Sequence, residues 1–392
     1  MTASAVPQIN VYTSLHLTVA LGSDLDVHPD NWCWIHCLAL PLKSLDTFQF
    51  SQRPYKWIHY IIGIVMGTQG VLCTSPDLPN VVDYNAVLPT KSIELYYHTS
   101  IKEKQRMLPI DSHILHTHIT SSVSTCQRAG FHSNVAEWDG EQCVLTRAEA
   151  MDCDAVHLLP HGKGDMYIST YTQHHSQDPT GEDIIQEINS VQNGLFLNKI
   201  AHRRLGKDIA FLMTPNFAMN TTDIDPTAPP GEKRCTAHVF QSVTQLTLFL
   251  KSTLNPGAQL QIFDTPRYPP AILFDGIYAG AILHHFGTQE VKDKITMFWK
   301  DNLYPSYHID TAYTSHKANV NEQAVVTEST QIQAQENMAC YNDNHNPDNF
   351  DMLMTLPYIM VPQNELQVML RETREKAEAE EQRCVKERVD AA

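Results

Sequence analysis

Alternate positions from Val11 to Leu21 are Val11, Thr13, Leu15, Leu17, Val19 and Leu21, a period of two that predicts a half-buried strand. Short apolar runs follow at Cys37 to Leu40 and Ile93 to Tyr97, separated by Pro, Asp and Ser clusters that read as turns. The most apolar stretch, Trp57 to Cys73, is interrupted by His59, Gly63, Gly67 and Gln69, too often for a membrane span. It reads as a buried strand, a turn at Gln69-Gly70 and a second strand through Val71-Leu72. Residues 1–120 are therefore expected to form a small β-rich domain, in which no catalytic constellation stands out.

A polar junction at Ser121, Ser122 and Ser124 precedes a denser region. Cys143 to Thr146 reads as a strand. Asn193-Gly194 reads as a turn, Leu195 to Leu197 as a short strand and Lys199 to Leu205 as a helix. Thr221 to Arg234, with Pro226, Pro229 and Pro230, reads as a loop. Hydrophobic density returns over His238 to Leu250 and over Pro270 to Phe286, and a helix is expected over Gln289 to Asn302. From His316 to Phe350 large apolar residues are few, which predicts a linker. Asn364 to Val389 predicts a charged, solvated helix that offers a contact for a protein partner. The division expected is 1–120, 121–305 with a core at 143–220, and 306–392.

Composition narrows the possible functions. The 392 residues carry a formal charge of -16, which argues against a protein that coats nucleic acid with its whole surface. Nine cysteines, an odd number with no CxxC pair, argue against a disulfide framework and a zinc ribbon. No basic residue precedes the first apolar stretch, so secretion is not expected, and nucleus or cytoplasm is the expected location.

Candidate chemistry lies in CDAVHLLPHGKGDMYI, NGLFLNKIAHRRLGK and AFLMTPNFAM, with LFDGIYAGAILHHFGTQ further on. These phrases place His157, Asn193 and His202 in the order strand, loop, helix. They resemble the HNH endonucleases, and more closely the HNH-domain proteins common in fungi. The resemblance implies an α+β fold: a ββα-metal nuclease module with helical additions, placed after the β-rich N-terminal domain. It also implies one divalent cation (Mg, Mn or Zn) and hydrolysis of phosphodiester bonds in nucleic acid, DNA foremost. Such hydrolysis needs a base near neutral pKa to take a proton from water, and a cation to neutralise charge on the phosphate. By resemblance His157 is the general base, Asn193 the residue that orients its imidazole, and His202 a metal ligand.

Two positions depart from the family pattern. Val156 stands where many HNH nucleases place a metal-binding residue just before the base, and Gly206 stands one helical turn after His202. Asp154, Asp165 and Asp208 could complete the cation's shell, Asp154 first. Each is equally well read as a turn carboxylate. From Cys143 to Pro215 there are six Lys or Arg against nine Asp or Glu, so the region is not basic. Lys199, Arg203 and Arg204 nevertheless cluster on the expected helix as a phosphate-facing patch. The alternative is a binding or regulatory protein that keeps the HNH fold without an adequate cation site. GxSxG, P-loop and HExxH motifs are absent.

Overall fold

A computed structural model describes residues 6–16, 28–77, 80–115, 126–176, 178–240, 257–260 and 267–303. Contacts divide the chain into two compact units, 1–309 and 310–392, and all described residues belong to the first. The expected linker and C-terminal helix lie outside the described residues, as do the Ser121–Ser124 junction, the end of the first strand beyond His16 and most of the His238–Leu250 run.

The architecture is mixed α+β. A four-stranded sheet holds β1 (Gln8–His16), β2 (Trp32–Pro41), β3 (Val71–Cys73) and β4 (Ile93–His98) in the order β2-β1-β4-β3. β1 runs antiparallel to β2 and parallel to β4. The period of two is borne out on β1, where Ile9, Val11 and Thr13 are buried and Asn10 and Tyr12 less so. Short helices α1 (Leu42–Phe48) and α3 (Ile101–Arg106) flank the sheet.

The apolar run from Trp57 is not strand-turn-strand. Its first part is a helix, α2 (Pro54–Met66), and only Val71–Cys73 is a strand. Pro54 opens the helix, where a missing N–H costs nothing, and Gly67 closes it in the left-handed conformation (φ 61°). Ten of its residues are buried and only Pro54, Lys56 and His59 are partly exposed, so the polar stripe is too narrow to stand out in a run this apolar. Its neighbour is an equally apolar helix, named α7 here, over Ala271–Phe286. Trp57 Nε1 donates to Tyr278 Oη (2.8 Å) and Tyr60 Oη to Asp275 Oδ1 (2.5 Å) across the two helices. The terminal helix α8 (Gln289–Asn302) stands where the sequence places it, started by Thr288, whose hydroxyl accepts from Val291 N.

Between these layers lie α4 (Cys126–Trp138), the antiparallel pair β5 (Cys153–His157) and β6 (Gly194–Asn198), α5 (Gly164–His175) within their connection, and α6 (Lys199–Arg204). A second sheet, β7 (Ile209–Thr214), β8 (Arg234–Val239) and β9 (Gln259–Leu260), follows. One hydrophobic cluster runs from Ile9 and Val11 through Phe196 and Leu197 to Tyr278 and Trp299. The N-terminal sheet and the β5–β6 hairpin thus share a core.

Candidate active site

Register sets the frame of the site. Cys153 pairs with Asn198 and His157 with Gly194, so His157 ends β5 where β6 begins. Asn198 closes β6 and caps α6, its Oδ1 accepting from Ile200 N (2.9 Å). Two antiparallel strands therefore run directly into the helix that carries His202.

Gly194 serves packing rather than a turn. Its φ of -125° is extended, but a Cβ there would lie 2.5 Å from Val135 Cγ2 and 3.0 Å from Phe131 Cζ. The hairpin needs glycine because α4 crosses it closely. The strand expected at Cys143–Thr146 is likewise a turn. Cys143 N donates to Ala148 O and Arg147 N to Cys143 O, with Arg147 at φ 60°. Cys143 Sγ accepts from Thr146 N and Asn198 N (3.2 Å each), fastening the turn to the end of β6. The backbone bends here because the thiol takes amide hydrogens that a strand would have spent on a neighbour. Cys153 is buried as well, its Sγ donating to Glu149 O (3.2 Å), and burial pushes its thiol up to about 11.

Asn193 is fully buried and its amide is saturated. Oδ1 accepts from Leu159 N (2.8 Å), and Nδ2 donates to Leu159 O and Ile188 O (2.9 Å each). Its backbone carbonyl accepts from Leu158 N (2.8 Å). The expectation that Asn193 holds the imidazole is therefore replaced by a different division of labour. Asn193 fixes the chain just after His157, and the ring is held by Asn189, whose Oδ1 lies 3.0 Å from His157 Nε2. An amide oxygen only accepts, so the ring donates from Nε2 and its neutral form keeps the lone pair on Nδ1. Phe131 stacks on the imidazole (centroids 3.8 Å apart, 11° between planes) and His161 meets it edge-on at 5.4 Å.

His202 is exposed on α6, its Nδ1 3.1 Å from Asp154 Oδ2. Burial alone would raise the Asp154 carboxyl. The bond and charge of His202, with Lys199 and His132 near by, outweigh it and hold the pKa below its ordinary value. Of the three carboxylates considered, Asp154 meets His202. Asp165 Oδ1 accepts from Ile188 N (2.7 Å), and buried Asp208 is paired with Arg204 (2.8 Å). Val156 is buried. Asp154 and His157 are three residues apart on β5 and both half-buried. The site thus has two halves: His157 with Asn189, Phe131 and His161, and His202 with Asp154.

Among the described residues no group of three or more His, Cys, Asp or Glu side chains is gathered for a cation. His202 and Asp154 alone do not make a tetrahedral zinc shell. Of the basic residues, Lys199 Nζ donates to Met151 O (2.9 Å) and Arg204 is engaged by Asp208, while Arg203 and Lys207 are exposed. Among the described residues no helix is long and apolar enough to cross a membrane.

Nothing in the sequence marked Asn189 or Phe131, since each reaches His157 through the fold rather than through spacing.

No curated protein and no solved structure matches the chain. Residues 143–209 match the family model described as HNH endonuclease. That interval contains His157, Asn193 and His202, and the chain therefore carries an HNH endonuclease domain at residues 143–209.

Proposed function

We propose that this domain hydrolyses phosphodiester bonds in nucleic acid, DNA foremost, with His157 as general base and His202 as the ligand of a divalent cation. The observation that carries the reading is the hairpin and helix that hold His157, Asn193 and His202 in family order, with the loop after His157 clamped by Asn193. His157 takes the proton of an attacking water, while Asn189 holds its Nε2 and Phe131 restricts the ring. Asp154 holds His202 through Nδ1, which leaves Nε2 for the cation, as carboxylates behind metal-bound histidines do. When bound, a divalent cation supplies charge neutralisation at the phosphate. Lys199 and Arg203 on α6 favour approach of the phosphate backbone, and Arg204 serves mainly the Asp208 pair.

A second reading, a binding or regulatory protein on the same fold, is favoured by the sparse donor set, His202 with Asp154 behind it, beside Val156 and Gly206. Plasmid nicking separates the two. Supercoiled DNA is incubated with the protein and Mg²⁺, Mn²⁺ or Zn²⁺, alongside His157→Ala and His202→Ala. Nicking that falls about 100-fold or more in His157→Ala, and that recovers in His202→Ala only at raised cation, is expected. No nicking with any cation, or nicking unchanged in both variants, favours the second reading.

A further inference from the structure

Away from the hairpin, α2, the end of α5, the start of α7 and the segment from Glu103 to Ile110 enclose a cavity of ≈ 320 Å³. That is the lower end of the range for small-molecule sites, about 300–1,000 Å³. Gly63 on α2 and Gly67 just after it let the walls approach closely. A Cβ on Gly63 would meet Phe217 Cζ at 2.4 Å, and one on Gly67 would strike Leu108 O.

Two carboxylates line it, each with one oxygen left over. Asp275 Oδ1 takes the Tyr60 hydroxyl at 2.5 Å, and Oδ2 has no hydrogen-bond partner among the described residues. Glu103 Oε2 accepts from Thr68 Oγ1 (2.9 Å) and Gln69 N (3.4 Å), and Oε1 has no such partner there. Against these two negative groups stands one cation, Arg106, which is exposed. His175 lies in the wall, and burial lowers its pKa to about 4, so it adds no charge at neutral pH. Burial also lowers His174. Burial raises Asp275 to about 6, a penalty that a cation beside the open oxygen would relieve. Phe217 and Ile64 give the cavity an apolar side.

We propose that this cavity binds a small organic cation of the amidinium or guanidinium class, its head at Asp275 Oδ2 and its apolar body against Phe217 and Ile64. A weakly hydrated planar head enters a half-buried site more readily than a strongly hydrated ammonium does. The site is separate from the hairpin chemistry and does not depend on nuclease activity.

The full-length protein is titrated with benzamidine by calorimetry and by thermal shift, with uncharged benzamide as the matched control. Saturable heat and a raised Tm are expected with benzamidine alone. Asp275→Asn keeps an oxygen for Tyr60 but loses the charge, and should weaken binding about 30-fold or more. Glu103→Gln should weaken it less. Circular dichroism checks that Asp275→Asn folds. If it does not, the half-buried Glu103→Gln decides alone. Equal responses to benzamidine and benzamide, or unchanged binding in the folded variant, would overturn the proposal.

Discussion

Two asparagines four residues apart do different work around His157. Asn193 makes three side-chain hydrogen bonds in a fully buried setting, and replacing it leaves buried backbone groups unpaired. Asn193→Ala is expected to lose about 3 kcal/mol in urea denaturation. Asn189 is half-buried and makes one bond to the ring. Asn189→Leu should leave stability within about 1 kcal/mol yet lower nicking and shift its pH profile, because the tautomer of His157 is no longer fixed. Sequence patterning alone favours Asn193 for both tasks, since only Asn193 sits at a family position.

Asp139 offers a residue-scale test by pH. It is buried and its Oδ2 accepts from Phe196 N on the outer edge of β6 (2.7 Å). Burial raises its pKa from 3.8 to about 6, against the smaller lowering effects of the Phe196 bond and Arg147. The folded chain holds the proton more tightly than the unfolded one, so folding takes up a proton between those values. Stability from this group is therefore full below pH 4 and lost as pH rises through about 6, by at most about 3 kcal/mol. Asp139→Asn keeps the acceptor and removes the titration. Its stability relative to the parent should rise between pH 4.5 and pH 7.5, and a flat difference would refute this account.

At the scale of elements, legibility followed the environment of each segment. Helix α8 and strand β4 were readable because one side of each meets the core and the other meets water. Helix α2 was not, because nearly every position is apolar and only Lys56 and His59 break the run. The Cys143 turn was missed because its apolar residues read as a strand, while the turn is closed by backbone bonds and by the Cys143 thiol accepting from Thr146 N. Order in the nuclease motif survived all of this, since β6 and α6 are built from adjacent residues. Glycines give the test at this scale. Gly194→Ala pushes a methyl into Val135 and should destabilise by about 1–3 kcal/mol. Gly130 lies on the exposed side of the same α4, with nothing within 4 Å of a Cβ, so Gly130→Ala should stabilise by about 1 kcal/mol. Thermal denaturation of the pair reads both signs.

For the first unit as a whole, the shared core has a consequence that the division of the sequence at residue 120 did not suggest. Helix α7 buries its length against α2 through Trp57, Tyr60, Asp275 and Tyr278. A fragment of residues 121–305 would expose that face and leave the Asp275 carboxyl without Tyr60. Such a fragment is expected to lack cooperative unfolding and to bind a hydrophobic dye, whereas 1–309 should melt in one transition. A sharp melt from 121–305 alone would show that the nuclease region folds without the N-terminal sheet.

The amide of Asn193 also acts as a clasp. It grips Leu159 across a separation of 34 residues, and everything between, α5 included, is an excursion that leaves and re-enters at one point. The entropy of closing such a loop grows only with the logarithm of its length, about 0.6 kcal/mol for each doubling. The hairpin is thereby insulated from the size of what it carries. Descendants of this chain could lengthen, shorten or exchange the part of the excursion before Ile188 while His157 and His202 keep their places, provided the clasp and Asn189 are kept.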